Sequence, residues 1–258
     1  MATRAIPQSY YYSGQGRLLV GDRNPTTGEV SNFIHVGNVT ALSIDITIDK
    51  FEHKESQSGN RSIDLTIIKE KKATIKFTAE SLSFNNLALG LYGEHATVTG
   101  DDVEDEPHKY TAGGVVALLH PNVSAVVVKT GANVGAATVV NNTEYTVDAE
   151  FGTITPKAGT TAFTGANVYV TYTYGDYKLL DAFTKAFPDE KCFRFEGLNT
   201  VNGDAVLTIA PRVALDPLTG FQLINEELGS AEFNGNILQD TFIAEGSQFF
   251  TQRIIAAA

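Results

Sequence analysis

LSIDITIDKFEHKESQSGNRSIDLTIIKEKKATIKFTAE, residues Leu42–Glu80, is the stretch whose reading decides the fold. Leu42, Ile44, Ile46 and Ile48 alternate with Ser43, Asp45, Thr47 and Asp49, the two-residue period of a half-buried strand. A charged excursion follows, with a tight turn predicted at Ser58-Gly59-Asn60. Ile63, Leu65 and Ile67 then alternate with Ser62, Asp64 and Thr66. Beyond Lys69-Glu70-Lys71-Lys72, a third run sets Ala73, Ile75 and Phe77 against Thr74, Lys76 and Thr78. Three consecutive amphipathic strands predict an antiparallel sheet with one apolar and one wet face. Function is expected on the wet face.

Upstream, Tyr10-Tyr11-Tyr12 and Ser13-Gly14-Gln15-Gly16 form a polar, aromatic, glycine-bearing arm. Short strands are predicted at Arg17–Gly21 and Asn32–Val36, with a turn at Asn24-Pro25-Thr26-Thr27-Gly28 between them. Downstream, a serine cap, apolar residues at helical spacing and a closing glycine predict one short helix between Ser81 and Gly93. The acidic run Asp101–Glu106, closed by Pro107, reads as a linker. From Tyr110 to Tyr174 the chain is rich in Val, Thr, Ala and Gly. Its β-prone pieces are Val115–Leu119, Val123–Val128, Thr138–Val140, Tyr145–Val147, Thr153–Thr155 and Val168–Tyr174. Such spacing predicts a small inserted β-sandwich over 106–175, inside a host domain formed by 1–105 and 176–258. In the returning host, Tyr177–Phe187 is either a strand or a short helix. Cys192–Leu198, Ala205–Ala214, Ala231–Leu238 and Ser247–Ile255 read as strands, and Phe221–Leu228 as a second short helix. The fold class is therefore mainly β: a β-sandwich or half-barrel with one or two short helices, plus the inserted sandwich.

A chain of 258 residues buries about 75% of its extended surface and needs no disulfide staples. Its single cysteine, Cys192, reads as a small buried apolar residue beside Phe193 and Phe195, a usage that fits a reducing compartment. The runs Val115–Leu119 and Ala125–Val128 are too short to cross a bilayer, and MATRAIPQSYYY lacks the apolar core of a signal peptide. A soluble chain without a membrane partner is expected. A net charge of −11 disfavours tight binding to nucleic acid, because phosphates are repelled and few counterions released.

Catalytic chemistry finds no foothold. Asp101–Glu106 lacks the alternate-position ligands and the turn glycine of a calcium loop. His35, His53, His95, His108 and His120 show no zinc-ligand spacing. No GxSxG, CxxC, P-loop or GxGxxG stands between a strand and a helix. The expectation is a protein without enzymatic activity, cofactor or metal. Asn-x-Ser/Thr triplets such as those at Asn38, Asn122 and Asn141 carry no weight without a secretory signal.

The order of features resembles that of tailed-bacteriophage tail tube proteins. The likeness rests on Gly37-Asn38-Val39 leading into Leu42-Ser43-Ile44-Asp45, then Glu55, Ser58-Gly59 and Arg61. It continues through Ala73–Thr78, Asn85–Gly93, Phe195–Asn199, Ile209–Val213 and Glu227-Leu228-Gly229, and so covers about 1–100 and 176–258. The resemblance implies six-subunit rings stacked into a hollow tube, with each subunit lending strands to an inner barrel through which DNA passes. It implies a virion protein assembled in the bacterial cytoplasm, with itself, a tape measure protein, a tail terminator and baseplate or tail-tip proteins as partners. It further implies that the loop Phe51, Glu52, His53, Lys54, Glu55, Ser58, Gly59, Arg61 bridges subunits or rings. So do terminal arms at Tyr10, Tyr11, Tyr12 and at Arg253, Ile254, Ile255. The insert looks like the immunoglobulin-like decoration carried on some tube exteriors, and such bulk favours a non-contractile tail.

On this reading Asp45, Thr47, Asp49, Asp64 and Thr66 line the lumen, where acid side chains repel phosphate and keep DNA from sticking. The same positions equally suit a solvent-facing tube exterior. A different class, a β-rich carbohydrate- or surface-binding module, would use Tyr169, Tyr172 and Tyr174 as a stacking platform. The absence of tryptophan counts against it.

Overall fold

The computed structural model describes residues 11–163, 167–187, 189–220 and 222–256. The chain divides into two compact units, 1–94 with 181–258, and 95–180. The predicted boundaries at 105/106 and 175/176 therefore move outward on both sides of the insert.

In chain order the first unit starts with β1 (Gly14–Arg23), β2 (Val30–His35), β3 (Val39–Lys54), β4 (Ile63–Ala79) and the helix α1 (Phe84–Gly90). The second unit follows with β5 (Glu94–Val98), β6 (Asp101–Lys109), β7 (Val116–Ala117), β8 (Val123–Gly131) and β9 (Thr138–Val139). It continues with β10 (Tyr145–Asp148), β11 (Thr153–Pro156), β12 (Asn167–Tyr174) and β13 (Tyr177–Asp181). The first unit is completed by β14 (Lys191–Asn199), β15 (Ala205–Leu215), β16 (Ala231–Ile237) and β17 (Thr251–Ile255).

The first unit is one antiparallel sheet in the order β2-β1-β14-β15-β16-β4-β3, with β17 alongside the first half of β15. β14 and β4 stand three places apart, about 14 Å in a flat sheet. Yet the Phe77 and Phe193 rings are 5.6 Å apart, and Phe77 also stacks on Phe233 at 4.6 Å. The sheet thus curls around its apolar face, and Leu18, Ile75, Phe77, Phe193, Val213 and Phe233 fill the concavity. Helix α1 closes one part of it. Ser83 caps the helix by accepting from the Asn86 N–H, and the buried Asn86 side chain donates to the Val36 and Ser81 carbonyls, both at 2.6 Å.

Two of the three strands predicted in Leu42–Glu80 are one. Ile63–Ala79 runs unbroken through Lys69-Glu70-Lys71-Lys72. The charged run is no turn, because β4 there is solvated on both faces and a strand of lysines costs nothing to expose. The predicted helix at 221–228 does not form either. Residues 222–228 are bends and turns, with Phe221 outside the described residues. A short helix needs a face to bury, and Leu223, Ile224 and Leu228 find none.

In the second unit a four-stranded sheet β6-β12-β8-β9 and a three-stranded sheet β10-β11-β7 share one core. Val128, Val168, Val170 and Tyr172 meet Val116, Tyr145 and Ile154 within it. The acidic run read as a linker is β6. Its charges have partners there: Asp102 accepts from Thr173, Asp105 from Lys129 at 2.8 Å, and Glu106 from the Tyr172 hydroxyl. β5 and β13 form a separate two-stranded sheet, so of Tyr177–Phe187 the first five residues are strand and 182–187 are turns, bends and loop.

Candidate functional site

β4 pairs with β16 only over Ala73–Ala79, and β3 pairs only with β4. From Thr47 to Lys72 the two strands therefore run on as a ribbon, with no third strand beside it among the described residues. Every residue from Asp45 to Lys54 and from Ile63 to Lys72 is exposed.

Cross-strand partners share a face and successive residues alternate, so the register fixes what each face carries. One face continues from the core: Ile44 opposite Ile75, Ile46 opposite Ala73, Ile48 opposite Lys71. Lys69 is then left unpaired between Asp49↔Glu70 and Lys50↔Ile68. This bulge keeps the β3 parity but shifts that of β4. The same face goes on as Lys50 with Ile68, Glu52 with Thr66 and Lys54 with Ile63. The opposite face carries Asp45, Thr47 and Asp49 with Thr74, Lys72 and Glu70, then Phe51 with Ile67 and His53 with Leu65.

The five positions predicted to share a wet face are thus divided. Asp45, Thr47 and Asp49 lie together, but Thr66 lies on the other face, and Asp64 sits unpaired in a second register shift beside His53. His53 Nδ1 is 2.6 Å from Asp64 Oδ1. The Asp45 face is also less acidic than the sequence suggested. Lys76 bridges Asp45 at 2.8 Å, Lys72 bridges Glu70 at 3.3 Å, and the Asp45 hydrogen bond raises the Lys76 pKa. Alternation alone could not reveal the bulge, which depends on pairing between strands.

Of the predicted bridging loop, Phe51, Glu52, His53 and Lys54 belong to β3. Glu55, Ser58, Gly59 and Arg61 form the tip. The Glu55 carboxylate accepts from the Gln57 N–H at 2.7 Å, the Ser58 N–H at 2.9 Å and the Ser58 hydroxyl. These bonds, the Ser58 hydroxyl first, hold the Glu55 carboxyl down at about 2. Gly59 takes φ +81°, and Arg61 also has a positive φ of 49°.

The predicted arms are not both free. Tyr10 lies outside the described residues. Tyr11 and Tyr12 are exposed, and the Asn199 side chain ties them to the end of β14 by donating to the Tyr11 carbonyl at 3.1 Å and accepting from Ser13 N–H at 3.0 Å. Arg253, Ile254 and Ile255 form no free arm but end a strand, as the reading of Ser247–Ile255 expects. They pair within the sheet as part of β17, opposite Leu207, Val206 and Ala205, with Ile254 and Ile255 still showing their side chains to solvent.

Between 45 and 76 stand seven cations (Lys50, Lys54, Arg61, Lys69, Lys71, Lys72, Lys76) and six carboxylates (Asp45, Asp49, Glu52, Glu55, Asp64, Glu70). The ribbon is close to neutral in a chain of net charge −11. At its base lies a groove of about 920 Å³ between β1 and β3, lined by Gly14, Gly16, Leu18, Leu42, Ile44 and Phe195 among others. Two strand edges border it. Among the described residues β1 meets β2 only from Leu19 onward, and β3 has no neighbour on the side away from β4.

Residues 11–253 match a family described as Protein of unknown function UCP028589. The chain belongs to that family. No curated protein matches it. For this member, chemistry has to be read from the geometry. Among the described residues no three His, Cys, Asp or Glu side chains converge as metal ligands, and no helix is long and apolar enough to cross a membrane. Cys192 is buried, and burial pushes its thiol up to about 11, so it is held as an unreactive thiol. What the first unit offers is surface: an apolar ribbon and unpaired sheet edges.

Proposed function

We propose that this protein is a structural, self-assembling subunit of the tail-tube type, which forms rings of six and stacks them into a hollow tube. The observation that supports this most directly is the β3–β4 ribbon. Ile46, Ile48, Ile63, Leu65, Ile67 and Ile68 are each between 44% and 63% exposed on an element that its own chain does not cover. Ile46, Ile48, Ile63 and Ile68 lie on one face of it and Leu65 and Ile67 on the other, and a soluble monomer rarely leaves both faces of an apolar ribbon open. The unpaired edges of β1 and β3 add a second reason, since an unpaired strand edge templates pairing with another chain, and closure into a ring removes it.

On this proposal the partners are further copies of the chain, with a tape measure protein, a tail terminator and tail-tip proteins at the tube's interior and ends. DNA passes through the lumen without specific binding. The protein works by shape and carries no catalytic centre. The competing reading, a carbohydrate-binding module, needs an open aromatic platform. Tyr172 is buried with its hydroxyl on Glu106, and the Tyr174 ring is covered by His120, stacked at 3.9 Å.

The test is negative-stain electron microscopy with sedimentation velocity, on purified protein from micromolar concentration to its solubility limit. Rings or hollow tubes of uniform diameter are expected. A monomer at every concentration overturns the proposal.

A further inference from the structure

The loop between β15 and β16 mirrors the ribbon in its chemistry. Leu223, Ile224 and Leu228 are 84%, 96% and 84% exposed, and Glu226 and Glu227 stand among them, also exposed. The loop has a built conformation: the Asn225 side chain donates to the Glu227 carbonyl at 2.6 Å, and Gly229 packs against Leu82. Neither Glu226 nor Glu227 has an ion-pair partner among the described residues.

The core-continuous face of the ribbon is apolar and basic. It carries Ile46, Ile48 and Ile68 with three lysines, Lys50, Lys54 and Lys71, against one carboxylate, Glu52, so its net charge is positive. Those three lysines likewise lack an ion pair among the described residues, although Lys72 and Lys76 on the other face each have one. One surface is apolar and net acidic, the other apolar and net basic. Both stay exposed within a single chain.

We propose that the 222–228 loop of one copy docks on this ribbon face of a second copy, with Glu226 and Glu227 set against Lys50 and Lys71. Desolvated isoleucine and leucine side chains supply the attraction, and the complementary charges set the register and exclude wrong alignments. The two surfaces differ, so the contact is heterologous. A heterologous contact repeats from copy to copy and generates a ring or an open stack, where a self-complementary patch would stop at a dimer. The ribbon from Ile46 to Lys54 spans about 27 Å. The contact rests on the self-assembly reading above and names the surfaces through which it operates.

The experiment is a charge swap in the full chain. Glu226→Lys with Glu227→Lys is expected to raise the concentration needed for assembly at least tenfold, as is Lys50→Glu with Lys71→Glu. The quadruple variant is expected to return it to within threefold of the wild-type value. Circular dichroism checks that each variant is folded, which the exposure of all four side chains makes the expected result. As a second measurement, copies carrying Ile224→Cys are mixed with copies carrying Ile68→Cys, both with Cys192→Ala, and a disulfide-linked pair of copies is expected on mild oxidation. If the wild type assembles and the reversed loop assembles equally well, this contact is wrong while the assembly reading stands. Assembled copies that give no 224–68 disulfide, or only 224–224 or 68–68 pairs, overturn the contact in the same way. A wild type that never assembles removes the assembly reading itself.

Discussion

Arg23 shows what one side chain does for this fold. Its guanidinium is buried and meets Asp240 through two hydrogen bonds, at 3.1 and 2.9 Å. Its third nitrogen reaches Glu190 at 2.9 Å, and Arg212 holds the same carboxylate with bonds of 2.9 and 2.6 Å. The four charges tie the end of β1 to the segments before β14 and after β16. Burial alone would push the Asp240 carboxyl up, but the Arg23 hydrogen bonds, the Phe242 N–H and the two guanidinium charges outweigh it and hold it low. Arg212 does the same for Glu190. Arg23→Ala strands a buried carboxylate, which costs roughly 3 to 5 kcal/mol. For a domain of this size a thermal midpoint lower by on the order of 10 °C is expected in a melt monitored by circular dichroism. The pH dependence has a definite sign. Both carboxyls lie below their ordinary values of 3.8 and 4.5, so their contribution is complete above those values and is lost as the pH falls through the lower folded ones. The urea midpoint of the wild type should fall from pH 5 to pH 3, and that of Arg23→Ala should fall less. An equal fall in both would mean the network is not the acid-sensitive part.

At the scale of the element, the ribbon separates folding from assembly. Ile46 stands opposite Ala73, the last β4 residue paired with β16, and Ile48 lies beyond it; both side chains are exposed, so Ile46→Thr with Ile48→Thr removes scarcely any core contact. Surface changes of this kind shift stability by roughly 0.5 kcal/mol or less, and threonine is a good strand residue. The double variant is expected to melt within about 2 °C of wild type while failing to form pelletable assemblies. A large loss of stability would show that the ribbon folds back on its own unit. Alternation made both arms of this ribbon legible in the sequence. It did not reveal that β4 is continuous, or that Lys69 is the bulge which moves Thr66 away from Asp45. The period of a strand is local, whereas register is a property of two strands.

At the scale of the molecule, the two units have separate cores and the chain leaves and re-enters the first at one place. Gly93 lies so close to the Asp181 carbonyl that a Cβ there would sit 2.2 Å from it. Excising 95–180 and joining Glu94 to Asp181 through two or three glycines should leave the first unit folded, with a cooperative urea transition. Residues 95–180 expressed alone should fold as well, since Val128, Ile154, Val168, Val170 and Tyr172 pack there without help from the first unit. A non-cooperative transition in either piece would refute this independence. Tube formation by the excised form would further place the insert outside the assembly machinery.

By itself the sequence determined the mainly β class, the insertion of one β unit into another, the short capped helix and the buried cysteine. Each follows from local pattern: a two-residue period, turn residues between short apolar runs, a serine before a helical repeat. The tertiary structure decided the rest. Asp101–Glu106 passed for a linker because the groups that accommodate its charges, Thr173, Lys129 and Tyr172, come from strands distant in sequence. Ile254 and Ile255 read as the end of a strand, but nothing in their own neighbourhood announces β15 as its partner. The candidate surface was half legible, since the isoleucines are plain in the sequence. Their exposure is not, because an alternating strand looks the same whether or not a third strand comes to cover it, and only the end of β16 at Ile237 leaves this one bare.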